Sequence, residues 1–383
     1  MRAGTTMSLV VFLLGSLVCA CGGGSSSTTT VPPEQPAAMP TITTAAAQNG
    51  AVIVSLADGT SGATIYYTLD GSTPTNTSQI YQAPFLVAAN LTVNAMAANA
   101  PGYLNSRVAT QAFTPNIASG TLVWSDEFSN SGGTNLPPSA SVWTYDLGTN
   151  CCGNNELETY CAPTSNAAPC SSSSPNAFVG TDGSLHIVAM QPTAGAATYT
   201  SARLKSQGLL SFMYGRIEAR VKLPESQGMW PAFWALGNNL TTISWPACGE
   251  LDILEHIDGN NPPYSVGATP PGYDWIAGSV HGGTTAAHAD GTQKYHPTGF
   301  SAAAWHTYGM KWSKGQVQFY VDDPANPYAT FTTSTFPGPW PFDQGPQFLI
   351  LNLAVGGDWP GSPNTTTVFP SEMTVDYVRV YTN

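Results

Sequence analysis

The sequence predicts an all-β protein built from two sandwiches, a small one toward the N-terminus and a large one occupying most of the remaining chain. Three observations carry this. Short runs rich in Val, Ile, Tyr and Thr recur between turn signals such as Asp58-Gly59, Asp70-Gly71 and Pro101-Gly102. No run keeps a 3.6-residue apolar period over a helical length, so long helices are not expected. Glycine (38) and proline (31) are abundant while only 9% of residues are charged, which suits a loop-rich extracellular β protein with aromatic surfaces. The 383 residues leave room for two domains. Eleven Lys and Arg against 23 Asp and Glu give 11 − 23 = −12, which argues against a nucleic-acid partner, since phosphates demand a basic surface.

Residues 1–21 read as an export signal. After Arg2 an apolar run extends from Met7 to Ala20, too short to span a bilayer and of signal-core length. Residues 22–39, GGGSSSTTT followed by VPPEQP, have too little apolar surface to pack and read as a tether. Residues 40–115 have the strand and turn spacing of a small β-sandwich. Residues 118–383 continue with SLHIVAM, GRIEARVKL, HTYGMKW, QVQFYVD, FLILNLAV and MTVDYVRVY, the pattern of a two-sheet antiparallel sandwich.

The stretch that asks for a chemical explanation is Gly249-Glu250-Leu251-Asp252-Ile253-Leu254-Glu255-His256. Three carboxylates among Leu and Ile are costly to bury, because an ionised carboxylate leaving water must be paired or change its pKa. In a regular strand Glu250 and Asp252 point one way and Glu255, five positions after Glu250, the other. A β-bulge at Ile253 or Leu254 reverses that and puts all three on one face; bulges occur beside active sites because they re-aim side chains. The competing reading is a strand whose acids are simply solvated at its edges.

Two resemblances extend these readings. IYYTLDGSTPT, Tyr81, Pro84, LTVNAMAANAPGY and Ser106 resemble the immunoglobulin-like module at the C-terminus of bacterial chitobiases. That likeness implies a structural or spacer domain; Tyr66, Tyr67 and Tyr81 could stack on sugar, with core packing the competing use. In the large segment WSDEF, NNELE, YTSARLKSQG, YGRIEARVKLP, GMWPAFWALG, GELDILEH, SVHGG, LNLAVGGDWPG and VDYVRVY occur in this order. Together they resemble glycoside hydrolase family 16, and within it the bacterial laminarinases, endo-1,3-β-glucanases. The likeness implies a jelly-roll, concanavalin-like sandwich with a cleft across its concave sheet. The N-terminal Val18-Cys19-Ala20-Cys21 resembles the bacterial lipoprotein box, which implies lipidation of Cys21 and a cell-envelope or secreted protein.

By this resemblance Glu250 is the nucleophile, Glu255 the general acid/base and Asp252 the carboxylate between them, with no cofactor needed for catalysis. A retaining pair must lie close together on one face, so this reading requires the bulge. Trp230 and Trp234 share a strand face and are implied to line the negative subsites, where aromatic rings stack on sugar C–H faces; on residues alone each could equally fill the core. Asn155, Arg203, His281 and Asn352 match substrate-binding positions, Trp359 is a further aromatic candidate, and Glu156 reads as structural. Glu127, the backbone of Gly183 and Asp376 match the positions of a structural calcium site on the convex side. The expected partner is β-1,3-glucan, acted on by a monomer that meets a membrane only through a lipid anchor.

The alternatives are a galactan hydrolase of agarase or porphyranase type, which shares the bulged spacing, and a non-catalytic β-glucan-binding protein, which would lack the carboxylates. Cys151, Cys152, Cys161 and Cys170 sit in one insertion, so one or two disulfides are expected there, with connectivity open. Cys248 reads either as a buried thiol or as a partner for Cys151 or Cys152.

Overall fold

The computed structural model describes residues 35–149, 153–193, 195, 198–257 and 275–383. The export signal with Cys21, most of the tether, and Cys151 and Cys152 lie outside the described residues. Gln35–Pro36, expected as the end of the tether, instead pairs with Tyr103–Leu104 of the small module.

Strand alternation builds the small module. Thr41–Ala46, Val52–Ala57 and Phe85–Val87 form one sheet; Gln79–Ile80, Thr64–Thr68, Leu91–Ala98 and Ala109–Phe113 form the other. Val54, Leu56, Phe85, Val93 and Phe113 fill the space between them together with Tyr67. The Tyr67 ring stacks on Phe85 at 5.4 Å, and Tyr66 is buried with its hydroxyl accepting from Asn99 at 2.7 Å. These two rings are spent on packing, which leaves them no sugar face.

The module is docked rather than strung out. The Leu86 N–H donates to the Ser211 carbonyl at 3.0 Å and the Ser211 N–H to the Pro84 carbonyl at 2.9 Å, while the Gln48 N–H donates to Val123 at 3.1 Å. Ala51 and Leu86 belong to the same buried cluster as Val123 and Phe212 of the large sandwich. The module is thus a structural unit that shares core with its neighbour.

The large sandwich has two antiparallel sheets. One, eight-stranded, runs Ala177–Val179, Leu185–Ala189, Ser371–Tyr381, Gly215–Lys222, His306–Ser313, Gln316–Val321, Ala329–Thr332, with Leu122–Asp126 also pairing with Ser371–Tyr381. The other, seven-stranded, runs Thr144–Asp146, Arg203–Lys205, Gln347–Val355, Met229–Gly237, Glu250–Glu255, Ile276–Thr284, Ala287–Tyr295. Ile217, Ala219, Met310, Trp312, Phe319 and Val375 from the first meet Phe233, Ala235, Leu251, Val280, Leu349 and Leu351 from the second in one core. The period of two does this: Phe233 and Ala235 face inward while Trp230, Ala232, Trp234 and Leu236 face the opposite side.

Candidate active site

The strand Glu250–Glu255 carries the bulge. Against Met229–Gly237 the register runs from Phe233 opposite Leu254 directly to Trp234 opposite Asp252, so Ile253 is the extra residue. Against Ile276–Thr284 it passes from Asp252 opposite Ser279 to Glu255 opposite Ala277, three steps facing two. The consequence is visible in packing: Leu251, Ile253 and Leu254 all join the core, while Glu250, Asp252 and Glu255 all line the cleft. Gly278 lies between the two residues flanking this step, and a Cβ there would stand 2.4 Å from the Tyr328 hydroxyl and 2.7 Å from the Phe319 ring. Gly249, just before the strand, has φ +83 and is crowded by Phe342 and Pro341 at 3.1 Å, so a side chain would be strained there.

The seven-stranded sheet forms the floor of a cleft of about 1000 Å³. In it the Trp245 indole N–H donates to Oε2 of Glu250 at 3.1 Å, and the Trp230 indole N–H to Oε1 of Glu255 at 3.1 Å. His281, opposite Glu250 in the register, holds its Nε2 3.1 Å from Oδ2 of Asp252 and 3.9 Å from Oε1 of Glu250. The close approach to Asp252 is not an aligned hydrogen bond: Oδ2 is buried without one. The Nδ1 of His281 lies 3.1 Å from Nε2 of His288 on the next strand.

Burial, and then repulsion by Asp252, pushes the Glu250 carboxyl up to about 8. Burial and the same neighbour push Glu255 up to about 8, against hydrogen bonds from Trp230 and Ser279 that oppose the rise. Asp252, only 3% exposed, is held well above the usual carboxylate range by burial. Three acids this close titrate as a unit, and at neutral pH the unit retains protons. A carboxyl that keeps a proton beside one that can lose it is the equipment for proton donation and nucleophilic attack in one place.

The remaining predicted residues distribute as follows. Trp234 lines the cleft with its indole N–H on Oδ1 of Asn352 at 2.8 Å, and the Arg203 guanidinium lies over its ring at 4.5 Å. Asp146 accepts from Nε of Arg203 at 3.0 Å and from Lys205 at 2.5 Å, which fixes both cations at the cleft wall. Trp359 meets Trp230 edge-on at 5.3 Å, forming an aromatic wall at the Glu255 end. Asn155 departs from expectation: it is exposed and donates to both oxygens of Asp358 at 2.9 and 3.0 Å, and its neighbour Asn154 lines the cleft in its place. Glu156 is buried and accepts from the Tyr160 hydroxyl at 3.0 Å, a structural use.

Trp245 and His288 are cleft residues that sequence reasoning did not single out. Trp245, 45% exposed, sits close enough before the acidic motif for its indole to have been considered. His288 reaches the site only through the hairpin pairing of Ile276–Thr284 with Ala287–Tyr295, which spacing alone does not reveal.

Two expectations outside the cleft also meet the structure. Glu127 follows the strand that pairs with residues 378–381, and Gly183 precedes the one that pairs with residues 371–375, so both approach Asp376 along the same edge. Their acids are otherwise engaged: Glu127 accepts from Arg379 at 2.9 and 2.8 Å, and Asp376 from Arg220 at 2.7 Å. In this arrangement a calcium ion would have to displace Arg379 from Glu127 and Arg220 from Asp376 Oδ2 to take those oxygens. Cys161 is bonded to Cys170, 5.7 Å apart at Cα, and Cys248 is a free thiol that burial pushes up to about 12.

The family model for "Glycosyl hydrolases family 16" matches residues 165–379 and that for "Chitobiase/beta-hexosaminidase C-terminal domain" residues 44–110. A beta-glucanase of Rhodothermus marinus is 37% identical over 270 residues, 68% of this chain and 84% of that protein. Glucan endo-1,3-beta-glucosidase A1 of Niallia circulans is 34% identical, covering 70% of this chain but 38% of that longer protein. The laminarinase catalytic domain of Thermotoga maritima superposes with a TM-score of 0.55 at 33% identity, over 70% of this chain and 99% of that structure.

Proposed function

The chain belongs to the glycosyl hydrolases of family 16, and from that premise we propose that it cleaves internal β-1,3 linkages of laminarin-like glucan with retention of configuration. The observation that carries this reading is the bulge at Ile253, which turns Glu250 and Glu255 to one cleft face. Relatives that act on β-glucan, over most of the large sandwich, supply the substrate class.

In the first step, from the form of the pair in which Glu255 holds the proton and Glu250 is ionised, Glu255 delivers that proton to the leaving glycosidic oxygen while the Glu250 carboxylate attacks the anomeric carbon; the C–O bond breaks as the glycosyl ester forms. In the second, the Glu255 carboxylate takes a proton from water, which displaces Glu250. Two inversions give net retention. Indole donors orient both groups: Trp245 holds one oxygen of Glu250, and Trp230 holds Oε1 of Glu255. Asp252, the most deeply buried of the three, is pushed above the usual carboxylate range by burial and lies on the same cleft face as the pair. Trp230, Trp234 and Trp359 supply the rings for sugar stacking, and Arg203 and Asn352 the polar contacts.

The test is release of reducing ends from laminarin, mixed-linkage glucan, agarose and xylan. Laminarin is hydrolysed fastest and Glu250→Gln abolishes the reaction; activity on agarose alone would assign the chain to the galactan branch. For cellular placement we propose export with Cys21 as the lipidated residue, on the strength of the Met7–Ala20 run and the Cys-Ala-Cys sequence. The mass of the mature N-terminal peptide checks it, and an unmodified Cys21 sinks it.

A further inference from the structure

The geometry points to a transition-metal site inside the cleft, in which Glu250, Asp252 and His281 together bind one zinc-like divalent ion and thereby switch the enzyme off. One ligand atom from each of these residues lies within 4.8 Å of those of the other two. The Nε2 of His281 stands 3.1 Å from Oδ2 of Asp252 and 3.9 Å from Oε1 of Glu250. Tetrahedral zinc, with ligands at roughly 2.0–2.2 Å, holds neighbouring ligand atoms about 3.3 Å apart, so side-chain rotation has to close the widest pair by no more than about 1.5 Å.

Two further features point to a cation. The Asp252 side chain is almost fully buried, yet its Oδ2, which faces the cluster, has no aligned donor. An orphan carboxylate oxygen is costly in the interior, and a cation is one way to satisfy it. Behind His281 stands His288, its ring stacked at 5.3 Å with 20° between planes and its Nε2 3.1 Å from Nδ1 of His281. A metal-binding imidazole ordinarily donates its other N–H to an acceptor, which fixes the tautomer. With Nε2 of His288 accepting from Nδ1–H of His281, the His281 Nε2 lone pair is directed at the two carboxylates.

Two carboxylates and one imidazole, with the fourth position open to the cleft, form an N/O set suited to Zn²⁺ or Co²⁺. On binding, any proton held between His281 and Asp252 leaves to solvent and the ion takes its place. Glu250 is then a ligand and no longer free to attack, so zinc and substrate exclude one another. The hydrolytic cycle itself needs no metal, and binding is measurable without turnover, so the site stands or falls separately from the assigned reaction.

The experiment is isothermal titration of the full chain with ZnCl₂ in chelator-free buffer, with initial rates on laminarin measured alongside. One equivalent binds, and zinc raises the apparent KM while leaving kcat unchanged. His281→Gln and Asp252→Asn each weaken zinc binding by about tenfold or more, and His288→Phe, which keeps the stacked ring but loses the acceptor, weakens it about 10–100-fold. Far-UV circular dichroism establishes that each variant is folded; if His281→Gln is not, His288→Phe decides. No binding up to millimolar zinc, or wild-type affinity in the folded variants, overturns the site.

Discussion

The two sheets of the large sandwich both bury acid, and they treat it in opposite ways. In the eight-stranded sheet Glu218 is 4% exposed, forms an ion pair with Arg216 and accepts from the Tyr320 hydroxyl at 2.5 Å. Arg216 in turn lies over the Tyr381 ring at 3.6 Å. In the seven-stranded sheet three acids crowd one strand face, and the ion pairs seen among the described residues bring them only His281. Glu218 is a neutralised structural carboxylate. Glu250, Asp252 and Glu255 are under-compensated, so their proton affinities are raised and chemistry becomes available. Buried acid by itself says little; the missing cation marks the functional cluster.

The largest separation between the two sheets should appear in turnover. Glu250→Gln lowers kcat by on the order of 10⁴-fold or more if Glu250 is the nucleophile proposed above. Glu255→Gln lowers it by roughly 10²–10⁴-fold and spares aryl glycosides whose leaving groups need no proton. Both variants melt no lower than wild type in scanning calorimetry, because an amide keeps an oxygen for the indole donor and removes a group whose ionised form burial opposes. Glu218→Gln should do the reverse, with kcat of the folded protein kept and stability lowered by about 2 kcal/mol in urea denaturation, as a charged hydrogen-bonded pair is broken. If Glu218→Gln were neutral to stability, the contrast between the sheets would fail.

A smaller effect follows from pH. The unfolded chain loses the protons of Glu250 and Glu255 in the ordinary carboxylate range, whereas the folded chain keeps them up to about 8. The folded state binds more protons between those limits, so these groups support stability below the unfolded value, and that support is lost as pH rises through the folded value. The wild-type Tm therefore declines between pH 5 and 8 more steeply than that of Glu250→Gln. Equal slopes would show that the cluster titrates normally.

Much of this was legible in the sequence because a strand is a simple ruler. The five-residue gap between Glu250 and Glu255 demands an extra residue if both are to face one cleft, and Ile253 is that residue. The same alternation put Trp230 and Trp234 together. What the ruler cannot measure is the neighbour across a sheet or at the end of a loop. His288 and Trp245 are brought in by pairing and loop closure, and Asn155 is turned away because Asp358 captures its amide. The docking of the small module escaped for the same reason: Leu86 and Ser211 are distant in the chain and are joined by a backbone hydrogen bond that spacing does not reveal.

The central claim is that the bulge makes Glu250 and Glu255 a retaining pair. Proton NMR of laminarin hydrolysis in its first minutes, before mutarotation, tests it most directly. The account predicts that the newly formed reducing ends appear first as the β-anomer and only later equilibrate; initial release of the α-anomer would contradict it.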